Sequence, residues 1–417
     1  RFDFFPSLAL GWYASNEKFF NVDWMNRLKF RVSGGMVGDD TGGSRWAYIS
    51  QYQYGGQGIN SALLNANPNE RSPYAFYKEQ IVGNPDLHWE KAKKFNYGVE
   101  VGLLKDLVSL NFDYYTEDRT DIIISGTSRA IPPYYGTTPP AANLGRVKSK
   151  GFEVEMRVNK GFSNGVHLWG MFSVSHNENK IINRDDPVLQ AAYLKQAGYQ
   201  IGQVRTQVRS GFYNNWDEVF ASTPQQTNDL AKLPGYYNII DFNGDGVITG
   251  NDDTVPFGYS EVPQNNYNAS VGGSYKGFSL TLQFYGVTNV SRNVPLSNFY
   301  LYQNTLFAHV RDYWSKDNPN ASSFIPRWKS QGNFIGDYFI YDGSFARLKT
   351  AEVAYSFQKP VLSRLGMSNL RIFVNGNNLL FWSKLPDDRE AAMSGGGADA
   401  GAYPTPRRFN IGIDLTF

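Results

Sequence analysis

Cysteine is absent from the 417 residues, which excludes thiol catalysis, disulfide stapling and zinc–thiolate sites together. No run approaches the ~18 consecutive apolar residues of a spanning helix. Apolar residues make up only 41% of the chain and the mean hydropathy is −0.43. A membrane protein built of helices is thereby excluded. Histidine is scarce: His88, His167, His176 and His309 are scattered, without the paired spacing of a metal site or a nucleophile–base couple. No glycine-rich phosphate loop occurs. The formal net charge is only +2, which advertises no surface for nucleic acid or any other polyanion. Composition and motifs together point away from an enzyme.

What the chain does hold is aromatic and glycine residues, with 29 Phe, 27 Tyr, 9 Trp and 41 Gly. That balance suits many strands, tight turns and interfacial rings. The last ten residues, 408–417, show the pattern most cleanly. Side chains of a strand alternate between faces, so Phe409, Ile411, Ile413, Leu415 and Phe417 share one, and Arg408, Asn410, Gly412, Asp414 and Thr416 share the other. This reads as a lipid-out, water-in strand, and the five apolar residues ending on Phe417 as an assembly signal for a barrel.

About eleven period-two segments recur, near residues 2–14, 27–37, 94–105, 107–122, 149–160, 165–179, 265–276, 277–290, 344–357, 368–382 and 405–417. In the ninth the apolar set changes phase between Leu348 and Val353, which predicts a β-bulge. Connections alternate in length. Tight ones fall at Lys105-Asp106, Gly161 to Gly165 and Lys276-Gly277, with moderately short ones at 15–26 and 358–367. Long ones cover 38–93, 123–148, 180–264, 291–343 and 383–404. Short turns on one rim and long loops on the other predict an all-β, transmembrane antiparallel barrel with long extracellular loops. Glu100, Glu153 and Glu155 alternate with apolar residues and are expected to line the wet interior, while Trp12, Tyr97, Phe112, Tyr114, Tyr275 and Tyr355 are expected in interfacial girdles. Open sheet edges cannot exist in hydrocarbon, so about eleven strands read as roughly half of a large barrel. The chain opens at Arg1 within an aromatic strand pattern, and is read as the C-terminal piece of a longer polypeptide.

Several segments, in order, resemble a known family. They are Phe4-Phe5-Pro6-Ser7 with Gly11-Trp12, then Asn84-Pro85-Asp86-Leu87-His88-Trp89-Glu90, then Asn177-Glu178-Asn179-Lys180-Ile181. Asp241-Phe242-Asn243-Gly244-Asp245-Gly246, Ser344-Phe345-Ala346-Arg347-Leu348-Lys349 and Asn377-Asn378-Leu379 with the final strand follow. The set resembles the C-terminal half of SusC/RagA-type TonB-dependent outer-membrane transporters. The resemblance implies residence in the bacterial outer membrane, as half of a 22-stranded barrel whose N-terminal strands, plug and signal sequence lie outside residues 1–417. It further implies opening by TonB, a SusD-like surface lipoprotein as lid, and import of a large nutrient, glycan or peptide. Where the family shows Asp-Pro-Glu near the last extracellular loop, this chain has Asp387-Asp388-Arg389-Glu390. A barrel of this kind serving as a structural or docking subunit of a larger envelope assembly is the alternative, since loops this long serve either role.

Residues 241–252 carry the sharpest local motif. Asp241, Asn243 and Asp245 stand at the first, third and fifth places of a calcium loop, Gly246 at the turn, the Val247 carbonyl next and Asp252 at the twelfth. The expectation is bound Ca2+ acting as a structural staple of the longest loop; an Asx-rich turn that needs no ion is the other reading. Loop aromatics at Tyr48, Tyr52, Tyr54, Tyr134, Tyr135, Phe212, Tyr213, Trp216, Phe299, Tyr300 and Tyr302 could hold a substrate or could pack loop against loop or lid. No particular substrate residue is assigned.

Overall fold

The computed structural model describes residues 3–40, 46–54, 77–227, 229–293, 314–318, 336–357, 362, 367–385 and 405–416. Eleven strands form one antiparallel sheet in which every strand pairs with its neighbours in chain order. They are β1 (Ser7–Tyr13), β2 (Met25–Asp39), β3 (Glu90–Leu103), β4 (Val108–Ile124), β5 (Ala142–Gly161) and β6 (His167–Asn183). Then come β7 (Asn265–Tyr275), β8 (Phe278–Thr288), β9 (Phe345–Ser356), β10 (Asn369–Ser383) and β11 (Arg408–Thr416). Among the described residues β1 and β11 pair on one side only. Each of the eleven expected segments is a strand of this sheet, and the up-and-down order is that of an outer-membrane barrel wall.

The register sorts residues onto two faces. Across β3, β4, β5 and β6 one face presents the rows Val101–Leu110–Met156–Phe172, Val99–Phe112–Val154–Val174 and Tyr97–Tyr114–Phe152–His176. On β11 the same face carries Phe409 and Ile411, 74% and 80% exposed, together with Ile413 and Leu415. Such exposure of large apolar side chains is untenable in water over this area and natural against acyl chains. Phe417 lies outside the described residues. No helix among the described residues is long and apolar enough to cross a membrane.

The tight rim is built from local backbone chemistry. Lys276 and Gly277 both take positive φ, 46° and 91°, between the paired residues Tyr275 and Phe278. This is the two-residue turn whose twist matches its strands, and Gly277 adopts the conformation without a Cβ penalty. Leu104, Lys105 and Asp106 make the β3–β4 turn, all with positive φ. Between β5 and β6, Phe162 donates its N–H to the Val166 carbonyl at 2.8 Å, and Gly165 donates to Phe162 at 3.0 Å.

The expected phase change lies in β9. Against β8, Leu348 and Thr350 face the adjacent residues Phe284 and Gln283, which leaves Lys349 as the extra residue; against β10 they face Leu380 and Asn377, so there Lys349 stands against two residues, Asn378 and Leu379. Ala351, Val353 and Tyr355 on one side of the bulge thereby share a face with Ala346 and Leu348 on the other. The strands run further toward the long-loop rim than their apolar pattern does: β5 begins at Ala142 and β6 ends at Asn183. There apolar residues such as Ile124, Val147 and Ile181 mix with Arg146, Lys148 and Lys180, so periodicity fades while backbone pairing continues.

Candidate functional site

The opposite face of the wall is lined by interlocked ion pairs. Glu100 receives Lys29 at 3.1 Å and Arg31 at 2.9 Å, and Arg31 also binds Asp113 at 2.8 Å. Nearer the long-loop rim, Glu117 joins Lys94 at 3.2 Å and Arg119 at 3.1 Å, and Arg119 reaches Asp39 at 3.8 Å. At the other end of the sheet Arg371 bridges Glu352 and Asp414. Glu155 pairs with Arg157 at 2.6 Å. Glu100 and Glu155 therefore stand in the wet interior as expected.

One glycine makes the first of these networks possible. Gly98 faces Arg31 in register, and a Cβ there would lie 2.8 Å from both the Arg31 guanidinium and the Asp113 carboxylate. With no side chain in between, Arg31 crosses β3 and meets the carboxylate on β4.

Above the wall the described parts of two long loops form a folded layer. The segment between β6 and β7 pairs Gln203–Thr206 with Val255–Ser260 and Arg209–Phe212 with Tyr237–Ile239. It also carries a short helix, α1 (Trp216–Ala221), capped by Asn215, whose side-chain oxygen accepts the Glu218 N–H at 2.9 Å. Tyr213, Val219, Tyr236, Tyr237 and Phe339 bury each other, with Phe212 and Ile239 against them. Phe339 comes from the connection between β8 and β9, so this core ties two long loops together. Ser291–Asn293 pairs with Ile340–Asp342 in that second loop, and Asp337 takes its N–H to the Gln207 carbonyl at 3.0 Å. Lys232 is buried on Asp229, at 2.7 Å, with Ser222 and Thr223 as further acceptors. Its ammonium, helped by the Gln225 N–H, holds the Asp229 carboxyl below the usual carboxylate range.

The predicted aromatics divide between two roles. Tyr213 is fully buried and Phe212 packs against the same core, so both hold loops together. Tyr48, Tyr52, Tyr134, Tyr135 and Trp216 are exposed, with Trp216 stacked on Phe220 at 5.8 Å. Phe299, Tyr300, Tyr302 and the segment 386–390 lie outside the described residues, as does the side chain of Tyr54. His88, His167 and His176 form polar contacts with separate partners, and His309 is outside the described residues. The six girdle residues are strand residues, five of them exposed and Tyr355 half-buried beside Phe278 at 4.6 Å.

Asp241, Asn243, Asp245, Val247 and Asp252 sit on one exposed turn of the loop layer. Asp241 accepts the N–H of Gly244 at 2.8 Å and of Gly246 at 2.9 Å, one on each carboxylate oxygen. Asn243 accepts from Asp245, and Asp245 accepts from Val247 at 2.8 Å. Among the described residues no three Asp, Glu, His or Cys converge as a ready-made cation cage. A bound cation would therefore share these oxygens with loop amides. The residue that closes the turn is the neighbouring Asp253, which is buried and accepts the N–H of Phe242 at 2.7 Å and of Thr249 at 2.6 Å. The motif's spacing pointed to Asp252; the burial of the next carboxylate could not be read from it. Tyr193 packs edge-on against Phe242 at 4.8 Å and donates to the Asp252 carbonyl at 2.5 Å. Burial, reinforced by Asp253, Asp252 and Asp245, pushes its phenol up, so it stays a hydrogen-bond donor.

An apolar face turned outward, an ion-paired face turned inward, one rim of tight turns and one of folded loops define a transmembrane β-barrel wall of the outer membrane. The chain belongs to the TonB-dependent receptors: the family model "TonB dependent receptor-like, beta-barrel" matches residues 2–379. It is similar to TonB-dependent receptor P3 of Formosa agariphila, with 25% identity over 100% of this chain and 42% of that protein. It is also similar to TonB-dependent receptor SusC of Bacteroides thetaiotaomicron, with 26% identity over 100% of this chain and 40% of that protein. The chain thus spans less than half the length of these relatives. A solved structure of the RagAB peptide transporter superposes with a TM-score of 0.72 at 18% identity, over 99% of this chain and 43% of that one. That likeness establishes the fold. The family is one of outer-membrane receptors, so the chain resides in the outer membrane and its long loops face outward.

Proposed function

We propose that this chain supplies wall and outer loops to a TonB-driven importer of a large nutrient, an oligosaccharide or a peptide. The observation that carries the reading is the loop layer with its own buried core, Tyr213, Tyr236, Tyr237 and Phe339, set above an ion-paired interior. A passive pore needs no such structure at its mouth, whereas a transporter that captures a bulky substrate before opening does. The exposed rings of Tyr48, Tyr52, Tyr134, Tyr135 and Trp216 give that mouth a stacking surface. A SusD-like surface lipoprotein is the expected lid, and TonB the expected source of energy, as in the relatives' family. The turn around Asp241, Asn243, Asp245, Val247 and Asp252 is proposed to take Ca2+ as a structural staple.

Deletion of the gene, with growth measured on oligosaccharides and on peptides as limiting nutrient, tests the function. Loss of growth on one class, reproduced by deleting TonB, is the expected result. Undiminished growth on both classes would sink the proposal, and a disrupted envelope complex in the same strain would favour a docking subunit.

A further inference from the structure

The outward face of β3–β6 changes character toward the loop rim in a way that import does not use. Beyond the ring row Tyr97–Tyr114–Phe152–His176 comes Phe95–Thr116–Lys150–Glu178, and then Lys93–Asp118–Lys148–Lys180. All belong to the lipid-facing side, because strand parity carries each in register with the apolar rows below. Arg146 reaches into the same patch, bound to Asp118 at 2.6 Å, and Lys148 lies 3.7 Å from that carboxylate. Lys150 is spent on Glu178 at 2.7 Å. Lys93 and Lys180 are exposed and have no ion pair among the described residues. Five cations, Lys93, Arg146, Lys148, Lys150 and Lys180, thus meet only Asp118 and Glu178.

Depth fixes what such a patch meets. From Leu103 at the tight rim up to Lys93, β3 climbs about 34 Å along its length and, at a tilt of about 40°, roughly 26 Å in height. The apolar band of an outer-membrane barrel is about 25 Å tall, and a Lys or Arg at its midplane costs about 2–4 kcal/mol. The lysine row therefore sits where acyl chains end and headgroups of the outer leaflet begin.

We propose that Lys93, Lys148 and Lys180 form a binding site for the phosphate groups of a phosphorylated glycolipid of the outer leaflet, with its acyl chains on the Tyr97–Phe152 face. Charge complementarity and continuity with the apolar wall select this occupant. The site requires residence in the outer membrane but not the import activity, so the two stand or fall separately.

The test is native mass spectrometry of the full-length protein in nonionic detergent. Its probes are a lipid A-type phosphorylated glycolipid, the same lipid with its phosphates removed, and inorganic phosphate. Wild-type protein should hold the phosphorylated lipid about tenfold more tightly than the dephosphorylated one, and K93Q/K148Q/K180Q should erase that difference. Lys94→Gln, one residue away on the interior face, should leave it intact. Should the triple variant lose its fold, Lys93→Gln and Lys180→Gln singly carry the test, each expected to weaken binding about threefold or more. Equal affinity for the two lipids, an unchanged triple variant, or an equal loss with Lys94→Gln would overturn the site. Displacement of the lipid by millimolar inorganic phosphate would also overturn it, by showing a free-anion site instead.

Discussion

At the scale of single residues, what a side chain leaves out matters as much as what it supplies. Arg31 reaches Asp113 only because Gly98 stands between them bare, with no room for a Cβ. Valine at position 98 keeps the period-two pattern, raises strand propensity and removes no charge, yet it must push the guanidinium off its carboxylate. Overpacking of this kind costs about 1–3 kcal/mol. The expected outcome for Gly98→Val is a full-length barrel whose folded band in unheated gels is lost several degrees lower than in the wild type. Gly161→Ala, where an added Cβ meets nothing within 4 Å, should melt with the wild type. Equal melting of Gly98→Val and wild type would show that the network tolerates being broken. The sequence displays Gly98 as one polar-phase residue among others; its reason emerges only from the register that sets it against Arg31.

At the scale of elements, legibility follows the solvent. Where a strand has lipid on one side and water on the other, each residue is sorted by a large free-energy difference, and the alternation in β3, β5 or β11 can be read without coordinates. Even the bulge at Lys349 shows itself, since one extra residue against β8 must flip the apolar phase. The loop layer obeys no such rule. Its ribbons are as short as Tyr237–Ile239, and Tyr213, buried to 0%, looks in sequence like its exposed neighbour Trp216. The calcium motif lies in that less legible region. If the turn takes the ion, metal analysis of the full-length protein should find calcium in the wild type and about one ion fewer per chain in D241A/D245A. Unchanged calcium content would leave the turn to its amide hydrogen bonds and to Asp253, which already accepts from Phe242 and Thr249.

For the whole molecule the decisive quantity is the fate of backbone groups at the two ends of the sheet. β1 and β11 each offer one row of N–H and C=O groups with no ladder partner among the described residues. In hydrocarbon each such unsatisfied group costs several kcal/mol, more than the apolar faces of Leu8 and Leu10 or Ile411 and Ile413 can offset. Eleven strands with both edges open therefore cannot be the state that spans the membrane. In the full-length protein those edges must find strands, and once they do no edge remains at which detergent can begin to unzip the wall. The full-length protein should accordingly run on unheated SDS gels as a compact band that shifts on boiling, while residues 1–417 expressed alone should show no shift. A full-length protein with the same mobility before and after boiling would mean that its strands are not joined into a closed cylinder. A heat-dependent shift from residues 1–417 alone would mean that β1 and β11 find partners without further sequence, by pairing with each other or between copies.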